Sequence, residues 1–260
     1  MELKFWDAAR GGNVQEVKEI LRDHPSIDVN WGHEDWEGLS ALHCACGLDH
    51  EAIVSILLSH PDIDVNQVNV MGYTPFMSAC DGGRVSSVRL LLRDSRVDVN
   101  QPDLDGFSPL SNASYFGFVE IIKWWIVSGR EMDLGEPGNT QTDAIAAATE
   151  QGHTDVVDLL ERFQENPEET RYGLRMEVGL HEDVAVEIFA ITVFASDGLL
   201  QVKKNNYVAK PTPAARFFGI ATQLPLELQM VLCHRFVGSA KEIILVMRSE
   251  VAFRELAKRI

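Results

Sequence analysis

Several short patterns in this 260-residue chain have residue types that could do chemistry. His43-Cys44-Ala45-Cys46 puts an imidazole and two thiols within one helical turn, and these are zinc donors. A zinc site needs a second ligand pair at short spacing. The other cysteines, Cys80 and Cys233, supply no CxxC, so small buried thiols are the expected state and no metal is assigned. The carboxylate pairs Asp62/Asp64 and Asp103/Asp105 could act as an acid and a base, yet both fall in turn-rich stretches that face water. Gly238-Ser239-Ala240-Lys241 has the ending of a phosphate loop without its upstream glycine. No HExxH, GxSxG or GxGxxG is present. No catalytic residue and no cofactor is assigned, and the chain is read as non-enzymatic.

The elements that carry these residues recur. Asp-Val-Asn stands at 28–30, 64–66 and 98–100, with an echo at Asp133-Leu134. A second marker, Gly12, Asp49, Gly83, Gly117 and Gly152, keeps the same phase at steps of 37, 34, 34 and 35 residues. A fixed period of this size is the mark of a stacked repeat in which each unit buries its apolar side against the next. Every unit has the same parts. A turn comes first, as in Asp35-Trp36-Glu37-Gly38, Asn69-Val70-Met71-Gly72 and Asp103-Leu104-Asp105-Gly106; Asx bonds its own backbone and Gly supplies positive φ. A helix follows at Ser40-Ala41, Thr74-Pro75 and Ser108-Pro109, where Ser or Thr caps and Pro starts the helix. Ala45, Ala79 and Ala113 leave room for close helix packing. After the glycine marker a second helix carries paired aliphatics such as Ile53-Val54 and Val88-x-Leu90-Leu91-Leu92.

This order of turn, Thr-Pro-Leu-His-like start, glycine, aliphatic helix and Asp-Val-Asn resembles the ankyrin repeat, over about residues 1–165 and some five units. The expected fold is all-α: an ankyrin-repeat solenoid followed by a helical C-terminal domain over 166–260. Repeat two departs from the pattern with Asp49 at the glycine marker and two extra residues before Asp35. Repeat five has Asp143-Ala144-Ile145-Ala146 as its helix start. The resemblance implies a concave face that binds protein through the turn tips and first helices. By position, that face holds Trp36, Glu37, Leu39 and Leu48; Val70, Met71, Tyr73 and Asp81; and Leu104, Asp105, Phe107, Tyr115 and Phe116. Large apolar groups alternate there with acids, which suits a protein or peptide partner bearing basic and apolar side chains. His43 sits where the family's histidine bonds neighbouring turns. The family resemblance also suggests asparaginyl hydroxylation at Asn30, Asn66 and Asn100, but turn formation accounts for these residues.

Charge agrees with a protein partner. Net charge is −16. Residues 1–165 hold 11 basic and 28 acidic side chains, whereas 201–260 hold 10 and 4. Phosphate would be repelled by the acidic part, so no nucleic acid is expected. The basic end could fold against the acidic array or compete for it. In the tail, Asn166-Pro167-Glu168-Glu169 is a helix start, and His181–Ser196 is apolar nearly all round, which reads as a buried helix with a strand as the alternative. Leu224-Pro225-Leu226-Glu227-Leu228 is similar to an F-box opening, and Leu228–Arg235 to a SOCS-box opening. Either would make the chain a ubiquitin-ligase substrate adaptor, the alternative function. The plainer reading is an amphipathic helix opened by Pro225. The N-terminus has no secretory h-region, and the longest apolar stretch, Ile188–Ala195, is too short to span a membrane. Unpaired cysteines suit a reducing compartment. A cytoplasmic location is expected, with the nucleus left open and no membrane partner.

Overall fold

The computed structural model describes residues 1–139 and 141–180, together with Ile188, Phe189, Ile191, Gln229 and Cys233. The chain divides into two compact units, Met1–Arg171 and Tyr172–Ile260. In the first unit the helices come in pairs: α1 (Glu2–Arg10) and α2 (Val14–Asp23), α3 (Ala41–Gly47) and α4 (Glu51–Leu58), α5 (Pro75–Asp81) and α6 (Val85–Arg93), α7 (Pro109–Tyr115) and α8 (Val119–Ser128), α9 (Ala144–Gln151) and α10 (Thr154–Glu165). α11 (Pro167–Glu177) follows. First helices pack on first helices in the order α1, α3, α5, α7, α9, and second helices likewise from α2 to α10.

The capping expectations hold at Thr74 and Ser108, whereas the Ser40 hydroxyl pairs with the His43 ring. Thr74 Oγ1 accepts from the Met77 amide at 3.1 Å, and Ser108 Oγ from the Ser111 amide at 3.0 Å. At the fifth start, Asp143 does the same for Ala146 at 2.9 Å. α11 opens at Pro167, with Asn166 and Glu169 bonded to each other. Ala45, Ala79 and Ala113 are fully buried between helices, as are Ile53, Leu57, Leu91, Ile121 and Leu160. The thiols of Cys44, Cys46 and Cys80 are buried and free. Burial pushes Cys44 up to about 12, so it stays protonated and unreactive.

The repeated marker closes the first helix of each pair. Gly83 and Gly117 both have φ of +70°. The next unit's Phe118 and His153 lie so close to them that a Cβ at either position would collide. Asp49 holds the same left-handed backbone at φ 59° without being glycine. Its carboxylate offsets the strain by accepting from the amide and hydroxyl of Ser87, at 2.8 and 2.9 Å, in the next unit.

Among the described residues the only strands are β1 (Gly32–His33) and β2 (Leu39–Ser40), paired antiparallel. The sequence pattern predicts only a turn here. The two extra residues of this unit widen it into a hairpin around Glu34–Trp36, closed by the Gly38 amide on His33 O.

In the second unit, residues 172–180 are described, along with Ile188, Phe189, Ile191, Gln229 and Cys233. The segments read as F-box-like, SOCS-box-like and basic lie outside the described residues, apart from Gln229 and Cys233. No helix among the described residues is long and apolar enough to cross a membrane.

Candidate protein-binding face

The expected binding residues fall on the tips and at the C-terminal ends of the first helices. The tips are rigid because backbone and side chain lock them twice. Asn69 Oδ1 accepts from the amides of Met71 and Tyr73, at 3.0 and 2.9 Å, and Asp103 Oδ1 from those of Asp105 and Phe107, at 3.0 and 2.8 Å. Successive tips are then stitched together, Val70 N to Glu37 O at 2.9 Å and Leu104 N to Met71 O at 3.1 Å. These are the Asx turns expected from the sequence. The cross-tip bonds were not legible there, because each joins backbone groups of different units.

First helices are tied to the following tip. His43 Nδ1 accepts from the Ser40 amide at 3.2 Å and lies 2.8 Å from Ser40 Oγ; this assigns the proton to Nε2, which donates to Tyr73 O at 2.8 Å. The ring is buried and its acidity is shifted to about 4, chiefly by loss of solvent. It therefore stays neutral and works as a structural link. In the unit two steps on, Ser111 takes this role, its hydroxyl donating to Gln141 O at 2.7 Å.

Of the expected binding residues, Trp36, Glu37, Leu48, Val70, Met71, Leu104, Asp105, Phe107, Tyr115 and Phe116 are exposed. Leu104 is the most open, at 77%, with Val70 at 64%. Leu39, Tyr73 and Asp81 are half-buried. Leu39 is partly used inside the fold, its carbonyl taking the Trp6 indole N–H at 2.7 Å. Tyr115 packs edge-on to Phe116, which stacks on Phe118 5.7 Å away. Phe118 extends this aromatic group and was missed, since its position reads only as the start of a second helix.

Charge gathers around Tyr73. Its hydroxyl is pushed toward the protonated form by burial first, then by Asp81, Asp103, Asp105 and Glu37. The Asp81 carboxyl is raised by burial with no compensating partner among the described residues. Among the described residues no group of three or more His, Cys, Asp or Glu could hold a metal ion.

The connections that lead into the tips carry the Asp-Val-Asn loops. Asp64 Oδ1 accepts from the Asn66 amide at 3.0 Å; Asn66 then donates to Arg96 O at 2.8 Å and accepts from the Asp98 amide at 2.7 Å. Asn30 bridges in the same way to Asp62 O and the Asp64 amide, and Asn100 to Glu131 O and the Asp133 amide. A loop side chain that reads the backbone of the next unit, at one fixed step, is what the period encodes. Residues 5–103 match the family model for ankyrin repeats, in three copies. This stretch is an ankyrin-repeat array. Over 72 residues, 28% of this chain, the sequence is 35% identical to Rabankyrin-5 of Homo sapiens, and the match covers 6% of that protein's length. Read from the sequence as turn formers, Asn30, Asn66 and Asn100 instead use their side-chain amides in bonds to the next unit.

Proposed function

We propose that the array, continued through the helix pairs up to residue 165, binds a protein or peptide segment along the tips and first helices, and that this segment has alternating apolar and basic side chains. Ankyrin repeats are protein-interaction modules, so the question for this chain is which surface it uses and what that surface selects. The carrying observation is the half-buried Tyr73–Asp81 site, surrounded by Glu37, Asp103 and Asp105 and bordered by the exposed Val70, Met71 and Leu104. Apolar side chains on rigid, stitched tips cost little conformational entropy when they bind. The desolvated Asp81 carboxylate favours an incoming cation that restores a partner to it. Acidic surroundings also speed the approach of a basic segment, more strongly at low salt.

The test is affinity capture from cell extract with the full chain, beside a Tyr73→Ala/Leu104→Ala double variant and Asp81→Asn. Partners recovered by the full chain should be lost with the double variant and weakened with Asp81→Asn, while thermal melting stays within a few degrees. Unchanged capture by both variants overturns this face.

A further inference from the structure

One tip differs from those after it in having a cation laid upon it. Arg10, the last residue of α1, holds its guanidinium carbon 4.2 Å from the Trp36 ring centroid and 5.6 Å from that of Trp6. The two indoles stand 5.7 Å apart at 47°, a wedge rather than a parallel stack, and the His33 ring packs against Trp6 at 4.6 Å. Trp6 is fixed by burial and by its N–H bond to Leu39 O. Trp36 remains 43% exposed on a tip whose backbone is pinned to the next tip through Glu37 O.

Arg10 is in ring contact, yet its guanidinium has no ion pair or hydrogen bond among the described residues. Glu34, Asp35 and Glu37 are exposed on the same tip and are likewise without ion pairs there. The indole faces therefore hold this arginine, within a field where carboxylates outnumber it. A tryptophan face attracts a cation through its ring quadrupole, and the attraction grows as water is excluded. In the same register, α3 has Gly47, α5 has Asp81 and α7 has Tyr115, so no other first helix of the first four pairs ends in a cation; the Arg89–Trp124 contact, at 4.1 Å, joins the second helices α6 and α8 and lies away from the tips.

We infer that the Trp6–Trp36 wedge is an acceptor for an arginine or lysine side chain of the bound segment, and that Arg10 is its occupant in the free protein. The inference rests on the binding face proposed above and adds the residue type read at one end of it. Arg10 is itself exposed. Swung into water it recovers its hydration, and the incoming cation takes over the ring contacts while a bound segment covers Trp36. The exchange makes Arg10 a competitor, so the free protein binds basic segments more weakly than the wedge alone would allow.

The test uses the full chain and a fluorescein-labelled nine-residue peptide of alternating leucine and arginine, beside a twin in which uncharged citrulline replaces arginine. Fluorescence anisotropy is read at physiological salt for the unaltered protein, Arg10→Ala, Trp36→Ala, the double variant and Tyr73→Ala/Asp81→Asn, each checked for an intact melt. Arg10→Ala should bind the arginine peptide about fivefold tighter, the size of one or two ring–cation contacts. The citrulline twin should show no gain, and the gain should vanish in the double variant. No gain for Arg10→Ala, or a gain that persists without Trp36 and so reflects charge alone, overturns the inference. If Arg10→Ala gives no gain while Tyr73→Ala/Asp81→Asn weakens binding, the face stands and the wedge falls. The reverse pattern keeps the wedge and removes the Tyr73–Asp81 site.

Discussion

Each connection between helix pairs has two parts, the Asp-Val-Asn loop and the tip, that use the same residue types to opposite ends. In the Asp-Val-Asn loop, the side chains of Asn30 and Asn66 are engaged by the neighbouring unit through both donor and acceptor. In the tip, Asn69 and Asp103 satisfy their own turns and leave the residues that follow them, Val70, Met71, Leu104 and Asp105, facing water. The loop holds the stack together; the tip presents a rigid surface. A side chain that is periodic and bonded between units belongs to stability. A side chain that varies from unit to unit on a fixed scaffold is free to serve recognition.

The sharpest way to probe the stabilising links is acid. His43 is buried, neutral and bonded at both ring nitrogens. Its proton affinity falls from the usual 6.5 to about 4 on folding, so the unfolded chain takes up the proton first. The stability it protects is complete above about pH 6.5 and is lost as pH falls toward 4. This is worth about 3 kcal/mol, on the scale of about 1.4 kcal/mol per pH unit of displacement. Chemical denaturation at pH 7 and 4 should show this fall in the unaltered protein, and His43→Gln should flatten the part specific to this ring. Equal pH slopes in the two proteins would place the acid sensitivity elsewhere.

Asp49→Ala comes next, at about 2 kcal/mol. It removes two bonds to the buried Ser87 and leaves a Cβ-bearing residue at positive φ without the local compensation. Asp49→Gly, which relaxes the backbone, should cost less, and the ordering of the two midpoints in urea decides it. Asn66→Ala should cost about 1–2 kcal/mol, since its bonds to Arg96 O and the Asp98 amide lie where water can replace them. Capture of partners should be unaffected. If Asn66→Ala weakened capture while the fold stayed intact, the division of labour between loop and tip would fail.

The smallest effects on stability belong to the tips and to one core hydroxyl. Leu104→Ala and Val70→Ala expose or bury little on folding and should shift the melting point by no more than a degree or two, whatever they do to binding. Ser114 Oγ is buried without a partner among the described residues, at the register where Ala9, Cys46 and Cys80 are found. Ser114→Ala should therefore be neutral or stabilising by about 1 kcal/mol in calorimetry.

Much of this was legible from spacing. The positive-φ marker, the Ser and Thr caps, the buried alanines and the Asx turns each depend on contacts within a few residues, and local physics repeats whenever the local sequence does. Asp49 was visible as an exception, but its reason was not, because Ser87 is 38 residues away. Trp36 stood out as a tip residue, whereas its cation, Arg10, belongs to the preceding unit and has no mark of its own in the pattern. The hairpin at 32–40 followed from two extra residues whose consequence depends on how Gly32 and Ser40 meet across it.

By itself the sequence determined the period, the helix starts and stops, the apolar stripes that must face inward and the acidity of residues 1–165. These follow from capping, backbone sterics and hydrophobic burial, which act at short range. Only the tertiary structure decided which polar groups are joined between units and which are left over. It paired His43 with Tyr73, tied Asn66 to Arg96, laid Arg10 over Trp36 and left Asp81 half-buried without a partner among the described residues. The physical reason is that hydrogen bonds and ring contacts are directional and close within a few ångström. Stacking alone brings residues some 30 positions apart within that reach.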